Sequence, residues 1–211
     1  MYITWFGQSC FKLQGKEATI ITDPFDKKVG LTLPRLTADI VTVSHDHYDH
    51  SNVKAVSGEP FVIKTIGEYE INTVSIRGIP SWHDAEEGKK LGANIIFIFQ
   101  LEEIRIAHLG DLGTLLTDSQ LEHLGNVDIL MIPVGGTFTL SGKQAAEVVS
   151  QVEPRIAIPM HYKIPKLTEK LDTVAAFCSE LGVQPNGEEE KFKVTKKELP
   201  AEETKVIILK P

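Results

Sequence analysis

The segment Ser44-His45-Asp46-His47-Tyr48-Asp49-His50 sets three imidazoles and a carboxylate at i, i+2, i+4 and i+5. Three of the chain's seven histidines fall within these six positions. Neutral imidazole nitrogen and carboxylate oxygen suit Zn²⁺, Mn²⁺ or iron, and no thiolate stands nearby to narrow the choice. One such cluster cannot close two metal sites. Further candidates recur past later predicted strands: His83 after Ser81-Trp82, Asp111 in His108-Leu109-Gly110-Asp111, and His161 in Pro159-Met160-His161-Tyr162. Singly, a His or Asp after a strand is more often structural. Together with the cluster, these residues supply the missing ligands.

The elements that must position them are mostly short and β-rich in the first half. Tyr2–Phe6, Phe11–Leu13 and Ala18–Thr22, separated at Gly7 and Gly15, read as a hairpin or meander. Ile40–Ser44 is a predicted strand ending at the histidine cluster, and Phe61–Lys64, Tyr69–Ile71 and Val74–Arg77 continue the pattern. Ile95–Leu101 and Ile104–Leu109 read as a hairpin turned at Glu102-Glu103. Helices are expected later. Thr117/Gln120 and Ser141/Gln144 have capping-box spacing, and Gly125 suits a helix stop. Leu171, Val174, Phe177, Cys178 and Leu181 lie at helical spacing, with Gly182 ending the run. Ile129–Ile132 and Ile156–Ile158 suit buried strands, and Val206–Leu209 one more. The charge-rich segment Asn186–Lys205 has mixed sign and reads as a solvated edge. Strands followed by alternating strands and helices imply helices covering sheet faces.

Composition bounds the rest. At 211 residues one domain over 1–211 is expected, long enough to bury a core. A net charge of −7 disfavours nucleic acid or an anionic membrane as the partner. No apolar run is long enough to span a bilayer, and the N-terminal residues lack the pattern of a signal peptide. Cys10 and Cys178 cannot form a disulfide framework and read as small buried hydrophobes. A cytoplasmic protein acting on a small molecule is expected, with self-association left open.

The order His-x-His-x-Asp-His, then His83, Gly110-Asp111 and the late His161 resembles the metallo-β-lactamase-fold superfamily. Trp5-Phe6-Gly7-Gln8-Ser9-Cys10-Phe11 and Thr22-Asp23-Pro24 are similar to that family's opening pattern. Pro133-Val134-Gly135-Gly136-Thr137-Phe138-Thr139 with Ile158–Tyr162 resembles a branch of small metal-dependent hydrolases. That branch is related to sugar-phosphate lactonases and N-acyl phospholipid-cleaving phospholipases D. The resemblance covers nearly the whole chain. It implies an α/β protein with a four-layer α/β/β/α sandwich, two mixed sheets packed face to face and helices outside. Carried over by position, His45, His47 and His83 would hold one ion, Asp49, His50 and His161 a second, and Asp111 would bridge. The chain departs from common patterns at Asp84 after His83 and at Leu112 after Asp111, and neither change removes a ligand.

Two divalent ions about 3.5–4 Å apart, zinc first with manganese or iron as alternatives, would share a water and lower its pKa. The resulting hydroxide would attack an ester, lactone, amide or phosphodiester, with Asp49 and Asp111 in the catalytic centre. Two ions, two aspartates and one hydroxide leave one net positive charge, which favours a small substrate that is anionic or becomes so. Asp23 is the first candidate to fix a histidine tautomer from behind. Asp46 and Asp84 read as solvated, and His123 as surface. His108 could support the site or contact substrate. Phe138, Tyr48, Tyr162 and Lys163 are candidates for the pocket wall, Lys163 for an anionic group. The competing expectations are a non-catalytic metal-binding or regulatory module and a di-iron redox protein of the same fold.

Overall fold

In Thr19–Thr22 and Ile40–Thr42, neighbouring residues serve two different cores. Ile20 and Ile40 join one buried cluster, while Ile21 and Val41 join another. A strand buried on both faces reads as an unbroken apolar run, which is what these segments are. The computed structural model describes residues 1–185 and 189–211.

Along the chain the strands are β1 (Tyr2–Trp5), β2 (Phe11–Gln14), β3 (Thr19–Thr22), β4 (Leu36–Thr37), β5 (Ile40–Thr42), β6 (Val56–Ser57) and β7 (Phe61–Ile63). They continue as β8 (Gly67–Ile71), β9 (Val74–Trp82), β10 (Ala93–Leu101) and β11 (Ile104–His108). Then come α1 (Asp118–Leu124), β12 (Ile129–Pro133), α2 (Gly142–Val152), β13 (Ile156–Met160), α3 (Val174–Glu180), β14 (Phe192–Lys193) and β15 (Lys205–Val206). One mixed sheet has the order β14-β1-β2-β3-β5-β7 and the other β15-β13-β12-β11-β10-β9-β8.

The sheets face each other across one apolar cluster. Ile3, Trp5, Phe11 and Leu13 from the first sheet meet Ile76, Phe97, Phe99 and Ile106 from the second. Ala145, Val148 and Val149 of α2 join the same cluster and cover the second sheet. The first sheet's outer face is covered differently. Its second cluster is closed by Phe25 from the loop after β3, Val29 from a 3-10 turn, and Leu36 and Val56 from the two-stranded β4-β6 ribbon. The outer layer on that side is therefore built of short turns, and the α-helices of the described residues all follow residue 117. Among the described residues no helix is long and apolar enough to cross a membrane.

Both capping boxes form, at Thr117/Gln120 and Ser141/Gln144. Several expected boundaries shift for physical reasons. β9 runs on through Gly78 and Pro80 to Trp82. β8 pairs with β9 only as far as Gly78, so the missing N–H of Pro80 falls where that edge has no partner. The last helix begins at Val174 rather than near Leu171. Asp172 instead donates its N–H to Gly135 O and accepts from Lys163 N, tying that stretch to two loops. The C-terminal strand shortens to Lys205–Val206, with one isolated bridge between Leu209 and Glu189. Within the charge-rich segment, residues 186–188 lie outside the described residues. The remainder is more than solvated edge: β14 extends the first sheet beside β1, and Lys196 Nζ lies 2.6 Å from Asp128 Oδ2.

Strand direction explains where the site forms. β1 and β3 both run antiparallel to β2, and β5 runs parallel to β3, so β1, β3 and β5 end at one edge of their sheet. In the other sheet β9 and β11 flank β10 antiparallel, and β12 and β13 follow β11 in parallel. β9, β11, β12 and β13 therefore share an edge too. Every expected ligand follows one of these strands.

Candidate metal centre

The described residues bring the seven expected ligands into two groups: His45, His47 and His83 in one, and Asp49, His50, Asp111 and His161 in the other. Within each group the candidate ligand atoms lie within 4.8 Å of one another. Asp111 Oδ2 stands at the junction. It is 3.3 Å from His83 Nε2, 3.2 Å from His50 Nε2, 3.3 Å from His161 Nε2 and 4.0 Å from His45 Nε2. Asp49 Oδ2 lies 3.2 Å from His50 Nε2 and 3.7 Å from His161 Nε2. His45, Asp49, His50, His83, Asp111 and His161 are buried, and His47 is half-buried at the mouth.

A metal fits this donor set better than a hydrogen-bond network does. His45 Nε2 and His50 Nε2 are buried and make no hydrogen bond, although carboxylate oxygens lie close. Buried polar atoms rarely go unpaired, and these two point inward among other ligand atoms. The opposite ring nitrogens are tied down. His50 Nδ1 lies 3.0 Å from Asp23 Oδ2. His83 Nδ1 lies 3.0 Å from the carbonyl of Phe138. Ser44 Oγ donates to Asp23 Oδ2 at 2.6 Å, so its contact with His45 Nδ1 at 2.9 Å must take the proton from the imidazole. In its neutral form each of these rings is thus held with its proton on Nδ1, which leaves Nε2 as the nitrogen available to a metal. Asp23 reaches His50 directly and His45 through Ser44, and it also accepts from Ser44 N at 2.7 Å.

The electrostatics follow from crowding. Burial and the neighbouring His50 push His45 down to about 3. Burial opposes a proton on His50, yet the Asp111 and Asp49 carboxylates outweigh it and hold that imidazole well above its ordinary range. Against the same cost of burial, Asp111 raises His83 and His161. Asp111 itself, despite full burial, is held well below the usual carboxylate range by His161 and His50.

Three non-glycine residues at the centre lie in the left-handed region. Gln8, Asp23 and His161 adopt φ of 47°, 40° and 51°. Such conformations cost roughly 1–3 kcal/mol each and persist where the surroundings dictate them. Gly110, at φ 54°, has no room for a side chain: a Cβ would meet Asn94 Oδ1 at 2.3 Å. Asn94 in turn accepts from Asp111 N at 3.0 Å, fixing the turn that presents the carboxylate.

The expected wall residues divide. Phe138 and Tyr48 line a cleft of about 460 Å³ over the ligands, together with Asp46, Leu91 and Glu169. Tyr162 and Lys163 do not. Tyr162 is buried against Trp5 with ring centroids 4.9 Å apart, and both residues border a separate cleft. The left-handed turn at His161 sends the following residues away from the ligands. His108 does not contact that cleft either. It is fully buried, with Nε2 2.8 Å from Ser9 O, and its Nδ1 accepts from Gly110 N. It lies behind the ligands, against Ser9, whose Oγ donates to Asp111 Oδ1 at 3.2 Å. Asp84 is not simply solvated: its carboxylate accepts the N–H groups of Glu86, Gly88, Lys90 and Leu91 and shapes the loop that carries Leu91.

Sequence reasoning missed Gln8, Ser44, Asn94 and Glu169. Asn94 had a signal, a lone amide entering the apolar run Ile95–Phe99. Glu169 had none. Gln8 Nε2 donates to Asp49 Oδ2 at 3.2 Å and to Glu169 Oε2 at 2.6 Å, and Tyr48 donates to Glu169 Oε1 at 2.7 Å. The bond to Glu169 is the main reason the Tyr48 phenol is raised above its ordinary pKa.

Residues 2–161 match the family described as the β-lactamase superfamily domain. A crystal structure from Thermotoga maritima, of a protein assigned as a Zn-dependent hydrolase of the metallo-β-lactamase superfamily, is similar with a TM-score of 0.79. It is 38% identical and covers 99% of this chain and 97% of its own. The UPF0173 metal-dependent hydrolase of Methanopyrus kandleri is 26% identical over 215 positions, covering 87% of this chain and 94% of its own. A UPF0173 protein of Pyrococcus abyssi is 30% identical over 179 positions, covering 77% and 83%. With its two mixed sheets and a donor set converging at their shared edge, the chain belongs to the metallo-β-lactamase superfamily and is one of its metal-dependent hydrolases.

Proposed function

We propose that the chain is a binuclear hydrolase. His45, His47 and His83 would hold one divalent ion, and Asp49, His50 and His161 a second. Asp111 would serve both. The observation that carries this reading is the position of Asp111 Oδ2, 3.3 Å from His83 Nε2 of one group and 3.2 Å from His50 Nε2 of the other. A donor set rich in imidazole and free of thiolate favours zinc, with manganese or iron as the competing occupants. When bound, two such ions supply an activated water at neutral pH and Lewis-acid stabilisation of an oxyanion.

The residues of the chain do the rest. Asp23, Ser44 and the Phe138 carbonyl hold the imidazole tautomers. Ser9, Asn94 and Gln8 hold the two carboxylates. The cleft above admits a small molecule whose reacting carbonyl or phosphoryl group reaches the ligands, and esters, lactones, amides and phosphodiesters share that requirement. The two free buried thiols, Cys10 and Cys178, fit a reducing compartment such as the cytoplasm.

Plasma mass spectrometry on protein purified without chelators tests the reading, with Asp49→Ala alongside and a panel of these esters assayed. Near two equivalents of metal, lowered in the variant together with hydrolysis, is the expected result. One equivalent in the wild-type protein after saturation with zinc, manganese and iron would refute the binuclear centre.

A further inference from the structure

The wall of the active cleft is rich in acceptors and poor in donors. Among the described residues no lysine or arginine lines it. The lysine expected to meet an anionic group, Lys163, borders the other cleft. Outside the ligand set the wall presents the carboxylates of Asp46 and Glu169, with Tyr48, Phe138 and Leu91 as its larger less polar surfaces. Tyr48 and Phe138 are 47% and 44% exposed, unusually open for aromatic side chains beside a buried centre.

Glu169 is held in place. Tyr48 Oη fixes one oxygen at 2.7 Å and Gln8 Nε2 the other at 2.6 Å. Each carboxylate oxygen has two lone pairs, so both retain accepting capacity after these bonds. Gln8 Oε1, on the same amide, is buried and has no hydrogen-bond partner among the described residues. Gln8 Nε2 also touches Asp49, so the Glu169 carboxylate lies one amide group away from the candidate ligands.

We infer that Glu169 is a specificity-determining residue that receives an ammonium group carried on an apolar body, so that the substrate is a cationic ester, lactone or amide. This deepens the proposed hydrolytic reading and rests on that cleft being the substrate site. It also reverses the charge expected from the metal centre alone. The positive centre meets charge that develops in the transition state. The wall, at a different point, reads the charge the substrate already carries. A substrate with further negative charge would meet Glu169 and Asp46 with no side-chain cation to offset them. Tyr48 and Phe138 offer ring faces to the apolar body and to a cation.

The test pairs binding with turnover, both on the metal-loaded protein. Calorimetric titration at pH 7 compares phenethylammonium with 2-phenylethanol, which differ in the charged donor and share the apolar body. In the wild-type protein the ammonium should bind about tenfold more tightly, the scale of one charge-assisted hydrogen bond. Glu169→Gln should bring that ratio close to one, and Glu169→Lys should favour the alcohol. The ratio is taken within each variant, so general loosening of the loop does not imitate the result. A wild-type ratio near one, or a ratio unchanged in both variants, overturns the inference. Nitrophenyl esters bearing cationic, neutral and anionic acyl groups separate it from the hydrolytic reading. Turnover of all three at similar kcat/KM would sink the Glu169 assignment and leave the hydrolase standing. Ammonium selectivity that depends on Glu169, with no ester cleaved, would do the opposite.

Discussion

Asp23→Asn changes one atom and should disable the centre from behind. The carboxylate accepts three hydrogen bonds: Ser44 N on Oδ1, and Ser44 Oγ and His50 Nδ1 on Oδ2. An amide has one oxygen to offer. If its oxygen faces Ser44 N, its NH₂ faces His50 Nδ1, which must then give up its proton and accept. The proton moves to Nε2, the atom that lies 3.2 Å from both Asp49 Oδ2 and Asp111 Oδ2 and would ligate a metal. If the amide is turned over, its NH₂ opposes the N–H of Ser44, leaving a buried donor unpaired at about 1–3 kcal/mol. Either way the orienting bond to His50 is lost or a backbone donor is stranded. Removing such a supporting partner typically costs 10–100-fold in metal affinity, about 1.4–2.7 kcal/mol. Competition against a fluorescent chelator measures this directly. The expected result is a fall in affinity of that size in a protein whose far-ultraviolet circular dichroism matches wild type. Affinity within twofold of wild type would refute the argument that Asp23 sets the His50 tautomer.

Metal binding should release protons at pH 7, because Asp111 and Asp49 hold His50 protonated above its ordinary range and Asp111 raises His83 and His161. Calorimetric enthalpies that do not vary among buffers of different ionisation enthalpy would contradict this, and because these imidazoles are raised above their ordinary range, affinity should already be weakening as pH falls from alkaline values towards neutrality. Gly110→Ala puts a Cβ 2.3 Å from Asn94 Oδ1 at a residue with φ 54°. It should destabilise by more than about 1 kcal/mol in urea titration, and an unchanged midpoint would show that the turn can yield. Asp84→Ala removes the acceptor of four loop N–H groups. Amide exchange at Glu86, Gly88, Lys90 and Leu91 should accelerate while that of β10 stays slow, and protection retained at all four would argue against this role.

The sequence by itself determined the chemistry of the site. His45, His47, Asp49 and His50 are fixed relative to one another by a few bonds of chain, so their spacing announces a ligand cluster before any fold is known. The capping boxes at Thr117 and Ser141 and the apolar runs of β3, β5, β12 and β13 were legible for the same reason, because their signals are local. Whether β9 could pass through Gly78 and Pro80 was not local. It depended on how far β8 reaches beside it.

Tertiary structure decided which atoms meet. His83, Asp111 and His161 converge because β9, β11 and β13 run the same way, a consequence of register across the sheet. Which nitrogen of each imidazole is bare depends on partners such as the Phe138 carbonyl, more than fifty residues away from His83 in the chain. Lys163 and Glu169 show the same limit from opposite sides. The lysine stands two residues from a ligand, yet the left-handed turn at His161 directs it elsewhere. The glutamate stands in an unremarkable polar loop, yet Gln8 and Tyr48 draw it into the cleft. Spacing along the chain constrains neighbours within a few residues. Beyond that, side-chain direction is set by backbone turns and by packing between elements, and these exist only once the sheets have closed on each other.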